Sequence, residues 1–175
     1  MSLELPVLTF EFYSRSAFEV APKLLGKLLC RNINGNTIKL RINETECYYG
    51  EDDSACHAHK GKTERTGIMY ENGGKAYIYL CYGIHNMLNI VTGVKGFPEA
   101  VLIRGAGEFN GPGKLTKALK IDRSLNWENL IDSDNLWIED DGSQYSYKTD
   151  RRVGIAYAQE EDRNRLWRFL INHEK

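Results

Sequence analysis

No two of the four cysteines in this 175-residue chain stand in a CxxC pair: Cys30, Cys47, Cys56 and Cys81 are scattered. That argues against a zinc ribbon and against a dithiol redox motif, and the thiols read as reduced. No apolar run approaches the length of a membrane span, and the opening MSLELPVLTFEFY lacks the basic start and apolar middle of a secretory signal. A soluble intracellular protein is the expectation. Lysine and arginine are missing from residues 126–147, a stretch that holds six acids, Glu128, Asp132, Asp134, Glu139, Asp140 and Asp141. The net charge of −1 therefore hides an uneven distribution: without those six, 23 basic side chains face 18 acidic ones. A basic patch is compatible with that balance, and so is a plain solvated acidic loop on a protein with no nucleic-acid role.

What is present is an ordinary globular composition, 42% hydrophobic and 27% charged. A chain of this length can bury roughly 68–70% of its unfolded surface, so one domain over residues 1–175 with a real core is expected. SRSAFEVAPKLLGKLLCR reads as a helix, capped by its serines and apolar at Phe18, Ala21, Leu25, Leu28 and Leu29, with its regular part beginning near Pro22. A strand follows from Ile38 to Cys47. Residues 50–74 form a long polar loop. KAYIYLCYGIHNMLNIVTG reads as a hairpin turning near Gly83, FPEAVLIRG as a strand, and NGPGKLTKALKI as a short helix entered through Gly-Pro, with Lys114, Lys117 and Lys120 on its polar side. NLWIE, RRVGIAYA and LWRFLI are three further strand-like runs. Helices and strands do not alternate, which favours an α+β fold with a mixed or antiparallel sheet.

Two stretches concentrate chemistry. In TIKLRINETECY, alternation puts Ile38, Leu40, Ile42, Glu44, Glu46 and Tyr48 on one face, an aliphatic face that ends in two carboxylates. A buried acid must be paired or used. One of them could be a general base for water with a tyrosine platform beside it; the alternatives are a strand that frays at Glu44 or acids paired with arginines. In AYIYLCYG, Tyr77, Tyr79 and Cys81 face one way, and Tyr82 stands beside the Gly83 turn. Core filling is the ordinary use of such tyrosines, whereas an aromatic at a hairpin tip can act as a wedge between base pairs.

ETECYYG, SACHAHKGKTERT, the AYIYLCYGIHNMLNI hairpin, AVLIRG, NGPGKL and RRVGI occur in this order. Together they resemble the 3-methyladenine DNA glycosylases of the mammalian alkyladenine type, from about Tyr13 to Leu170. The resemblance implies a curved, mostly antiparallel sheet with flanking helices and a protruding hairpin. It implies an enzyme that flips alkylated or deaminated purines, such as 3-methyladenine, 7-methylguanine or hypoxanthine, out of duplex DNA, because the glycosidic bond is hidden in the stack. Tyr82 matches the tyrosine that enters the minor groove. Tyr48, His57 and Tyr79 match the residues that hold the extruded base, and Asn89 matches a selectivity residue that crowds the exocyclic amine of guanine. Glu46 matches the general base and Arg104 the arginine beside its water, expected to keep the carboxylate ionised against its burial. Glu44 has no matched role beyond that of a structural partner.

The same resemblance implies monofunctional hydrolysis by a monomer, without metal or organic cofactor and with no lysine at the matched pocket positions, acting on damaged double-stranded DNA in the cytoplasm at the nucleoid. Two other classes make different demands. A non-catalytic nucleic-acid binder would use the tyrosines without needing Glu46 and Arg104 together, and a metal-dependent hydrolase would be built on Cys56, His57 and His59.

Overall fold

The computed structural model describes residues 3–173. Its elements in chain order are α1 (Phe10–Tyr13), α2 (Ala17–Leu24), β1 (Leu28–Ile33), β2 (Asn36–Tyr49), β3 (Ala76–Cys81), β4 (His85–Val91), β5 (Glu99–Ala106), β6 (Phe109–Asn110), α3 (Pro112–Ala118), β7 (Leu136–Glu139), β8 (Tyr147–Asp150), α4 (Glu160–Asn164) and β9 (Arg168–Ile171). Nine strands form one sheet in which every ladder is antiparallel, with the central order β3-β4-β5-β2-β1-β7. The α+β architecture read from the sequence is the one observed. No helix among the described residues is long and apolar enough to cross a membrane.

The helix around Pro22 is shorter than its apolar spacing suggests. Val20, Ala21 and Leu24 face the core, Glu19 and Lys23 suit the two ends of the helix dipole, and Pro22 lies inside the helix instead of opening it. Without an N–H, Pro22 cannot donate to the carbonyl of Phe18, and the helix ends two residues later. Gly26 then takes φ +89°, and Leu28 and Leu29 enter β1. Spacing alone could not separate those leucines from the helix, because they sit at positions that both patterns share. RRVGIAYA is likewise not a strand. It is an irregular segment, and the strand of that region, β8, precedes it.

The 14-residue β2 organises the sheet. Its first half pairs with β1, while further along it lies between β5 and β9. The β2–β5 register shifts between Ile42 and Glu44 and again between Glu44 and Thr45. Irregularities of this kind re-aim side chains. Ile42 and Cys47, an even and an odd position, join the same core, and the Thr45 hydroxyl donates to the Ala21 carbonyl of α2. The aliphatic face of β2 therefore does not end in carboxylates: the strand changes parity, so that Thr45 and Cys47 continue the core while Glu44, Glu46 and Tyr48 turn to the other side. Gly105 permits the close approach, since a Cβ there would stand 2.5 Å from Asn43 Oδ1.

The main core lies between the sheet, α2 and α3 and includes Tyr13, Leu24, Leu29, Ile78, Leu88, Ile90 and Ile103. Helix α2 is fastened to β5 by the buried Glu99, whose carboxylate accepts from the Ala17 N–H at 2.6 Å. A smaller core packs Cys56, Ile68, Met69 and Tyr77 beneath Tyr48 and Tyr79. It ties the 50–74 loop to the far face of the sheet. Within that loop, Thr63 and Thr66 exchange side-chain-to-backbone hydrogen bonds, closing a turn that holds the segment after His57 in place.

Candidate active site

A cavity of about 610 Å³ opens on the face of the sheet to which β2 turns its acids. Six of the seven site residues expected from the sequence, Tyr48, His57, Tyr79, Tyr82, Asn89 and Arg104, line it. Glu46 is fully buried directly behind the lining. Its Oε2 accepts from the Tyr48 hydroxyl at 2.7 Å, and its Oε1 accepts from the Val153 N–H at 2.9 Å and lies 3.3 Å from Arg104 Nε. All three of those neighbours line the cavity, so the carboxylate is one side chain away from its contents.

Burial pushes the Glu46 carboxyl above the usual range. Arg104, the Val153 N–H, the Tyr48 hydroxyl and Arg152 oppose the shift without cancelling it. Arg104 offsets the burial as expected, but only in part, because desolvation is the larger effect. Its Nε also lies 3.4 Å from Glu44 Oε2, and this buried nitrogen has no hydrogen-bond partner among the described residues. Glu44 is indeed an ion-pair partner, held also by Arg168 at 3.1 Å.

The aromatic wall is tightly arranged. The His57 and Tyr79 rings are 4.4 Å apart at 66°, Tyr77 and Tyr79 5.4 Å apart at 45°, and the Arg65 guanidinium stands 5.1 Å from the Tyr79 ring. His57 Nδ1 lies 2.9 Å from the Tyr77 hydroxyl. Burial, assisted by the charge of Arg65, lowers the His57 pKa to about 4, so the ring is neutral at physiological pH. Asn89 donates its amide to the carbonyls of Tyr77 and Met87. Two acceptors fix which way the amide points and leave its oxygen as the free end.

Tyr82 and Gly83, with φ of +51° and +70°, form the tip of the β3–β4 hairpin, closed by the Ile84 N–H donating to the Cys81 carbonyl at 3.2 Å. Tyr82 is 88% exposed and Ile84 beside it 72%. Helix α3 braces the hairpin base: the Thr116 hydroxyl donates to the Asn86 carbonyl, and Gly113 is needed because a Cβ would stand 2.8 Å from His85 Nδ1.

Several contributors were not nominated from the sequence. Arg152 is buried in a two-pronged pair with Asp53 at 2.6 and 2.8 Å, donates to the Cys47 carbonyl, and stands 4.9 Å from the Tyr48 ring. This clamp holds the RRVGI segment where Val153 can reach Glu46. The only available signal was two adjacent arginines before an apolar run, which charge alone does not distinguish from a surface pair. Lys114 also lines the cavity, outside the pocket positions that the resemblance matches. Among the described residues no group of three His, Cys, Asp or Glu is arranged to hold a metal ion. His57 and His59 in fact have separate partners, Tyr77 and the Glu51 carbonyl.

The site is thus a buried carboxylate behind an aromatic-lined cavity, with an exposed tyrosine at the edge of that cavity. Comparison with known proteins identifies the family. A family model described as methylpurine-DNA glycosylase (MPG) matches residues 11–109 and 106–175. A protein of Borrelia garinii subsp. bavariensis is 45% identical over 177 residues, covering 94% of this chain and 95% of the relative. Proteins of Natranaerobius thermophilus (42% over 189 residues, 94% of each chain) and Methanocella arvoryzae (43% over 186 residues, 94% of this chain and 92% of the relative) are similar to the same extent. All three carry the name "putative 3-methyladenine DNA glycosylase". The match runs through every element that builds the cavity, and the chain belongs to the methylpurine-DNA glycosylase family, DNA glycosylases of base-excision repair.

Proposed function

We propose that the protein excises alkylated and deaminated purines, 3-methyladenine, 7-methylguanine and hypoxanthine, from duplex DNA by flipping the nucleotide and hydrolysing its glycosidic bond. The observation that carries this reading is the position of Glu46, buried behind the cavity and fixed by Tyr48, Val153 and Arg104. Both of its oxygens keep lone pairs beyond the bonds described, so a water can be aligned on the carboxylate from the cavity side. Attack forms a bond from the water oxygen to the anomeric carbon. The bond from that carbon to the purine nitrogen breaks, its electron pair leaves with the base, and Glu46 takes the water's proton. The negative charge of Glu46 also stabilises the oxocarbenium-like transition state. An N-alkylated purine departs as a neutral base and needs no further help. Hypoxanthine must gain a proton or a hydrogen bond as it leaves, and His57, through its ring or its backbone, is positioned to supply the hydrogen bond.

Tyr82 takes the place of the extruded nucleotide in the stack, while Tyr48, His57 and Tyr79 receive the base. Stacking of this kind is worth about 1–3 kcal/mol per base and tolerates many ring systems. Asn89 filters by rejection, its amide crowding the exocyclic amine of guanine. No step needs an amine nucleophile, so the product is an abasic site, and borohydride is expected to trap no protein–DNA adduct through Lys114.

Single-turnover base release at low salt tests the reading, with duplexes carrying one hypoxanthine or N-methylated purines. The wild type is expected to leave alkali-labile sites, and Glu46→Gln to bind the same duplexes without releasing base. Near-normal turnover by the variant removes Glu46 from its role. Binding without release by both proteins would make the scaffold a non-catalytic binding module.

A further inference from the structure

We propose that Glu44 and Arg168 are positioning residues for the excision step: by competing for Arg104 they set how much of its charge reaches Glu46. This rests on the reading of Glu46 as the base. The groups form an alternating chain that runs from the buried carboxylate to the surface. Glu46 Oε1 is 3.3 Å from Arg104 Nε, which is 3.4 Å from Glu44 Oε2; that oxygen is 3.1 Å from Arg168 Nη1, and Arg168 Nη2 is 2.8 Å from Asp150. The two distances to Arg104 Nε are nearly equal, and neither carboxylate captures the nitrogen in a well-formed hydrogen bond. Arg104 is thus balanced between two like charges.

The balance is built by the irregularity in the sheet. The register shift around Glu44 lets two acids two residues apart, Glu44 and Glu46, approach one arginine of the neighbouring strand. Strand β9 supplies the counterweight: Arg168 is oriented by donating its Nε to the Arg151 carbonyl at 2.7 Å and is divided in turn between Glu44 and Asp150. Of the other charged or titratable groups facing this cluster, Arg152 is committed to Asp53 and Tyr48 donates to Glu46, while Lys148 and His173 line the same hollow as Glu44. Among the described residues, Arg104 and Arg168 are the cations within salt-bridge distance of Glu44.

Competition makes two opposite predictions. Glu44→Gln removes the rival charge, so Arg104 serves Glu46 alone, the ionised form of Glu46 is favoured, and the acid limb of base release moves to lower pH. Arg168→Met leaves Glu44 dependent on Arg104, which is drawn away from Glu46, and the limb moves to higher pH. Each displacement is expected to be roughly one pH unit, the low end of what a neighbouring charge does to a carboxylate. Arg168→Lys keeps the charge and should restore most of the wild-type limb.

The experiment is single-turnover release of an N-methylated purine across pH for wild type and the three variants, with thermal midpoint and duplex binding as controls. Opposite displacements with binding retained are the expected result, because a purely structural role would lower all rates without moving the limb in two directions. Unmoved limbs, or limbs that move the same way, overturn the proposal. Should Glu44→Gln fail to fold, the Met and Lys variants of Arg168 decide the matter between them. If the wild type releases no base, or Glu46→Gln releases it normally, the reading of Glu46 has failed. If those controls hold and the limbs stay fixed, only the positioning role has.

Discussion

Tyr82 occupies a backbone conformation that side chains larger than hydrogen rarely adopt, at φ +51° and almost fully exposed. Holding a bulky residue there costs of order 1–3 kcal/mol, and no packing at the tip offsets it. Tyr82→Asn, which tolerates this conformation, is therefore expected to raise stability by about 0.5–1 kcal/mol in thermal or urea unfolding, while slowing hypoxanthine release at least tenfold. A variant that is both less stable and fully active would show that the tyrosine serves the fold. Glu46 makes a second prediction at this scale. Its pKa is raised chiefly by burial, and the proposed base must be ionised to act, so release should fail on acidification at a pH above that of an ordinary carboxylate, and recover as pH rises. A rate unchanged down to pH 4 would exclude it as the titrating group. Tyr82 was legible in the sequence because a turn glycine follows it. The raised pKa of Glu46 was not, since it depends on how deeply β2 is covered.

At the scale of elements, the parity change in β2 was the feature least accessible from the residues. TIKLRINETECY alternates perfectly on paper, and only the paired shift with β5 shows that the aliphatic and acidic halves point opposite ways. Gly105→Ala should disturb this junction, costing about 1–3 kcal/mol by overpacking against Asn43 and lowering base release with it. Unchanged stability would mean that Asn43 can swing aside freely. The clamp between the 50–56 and 151–155 segments makes a sharper case. Arg152→Met leaves Asp53 buried and unpaired, and should cost about 3–5 kcal/mol, whereas adding Asp53→Asn should return part of that loss. No recovery in the double variant would argue that packing of Arg152 on Tyr48 and Trp167, not its charge, is what matters. The hairpin, β5 and α3 were read correctly because turn residues and β-branched runs bound them. The end of α2 was misread because Leu28 and Leu29 satisfy helical and extended patterns equally.

Across the whole molecule, half of the six acids of the acidic stretch are paired within the protein's own scaffold. Glu139 and Asp141 pair with Lys39 and Arg41 on β2, and Asp140 with Lys27 just before β1. Near the cavity, Lys60, Lys62, Arg65, Lys114 and Lys117 are exposed and form no salt bridge among the described residues. A net charge of −1 is thus compatible with a cationic DNA-facing rim. Lys114→Gln and Lys117→Gln should each flatten the salt dependence of duplex binding by about one unit of slope, and Lys39→Gln should leave it unchanged. Equal effects from all three would place the DNA elsewhere. The bonds that complete the site also span the chain: Glu46 waits for Val153, Asp53 for Arg152 and Glu44 for Arg168, separations of 107, 99 and 124 residues. Contacts of such range close late in folding. During synthesis, the hairpin, its tyrosine and most of the aromatic wall can form long before the carboxylate is fixed. On the proposed reading, a nascent chain halted ahead of Arg152 would carry the hairpin tyrosine and the aromatic wall but lack these long-range contacts that complete the setting of Glu46.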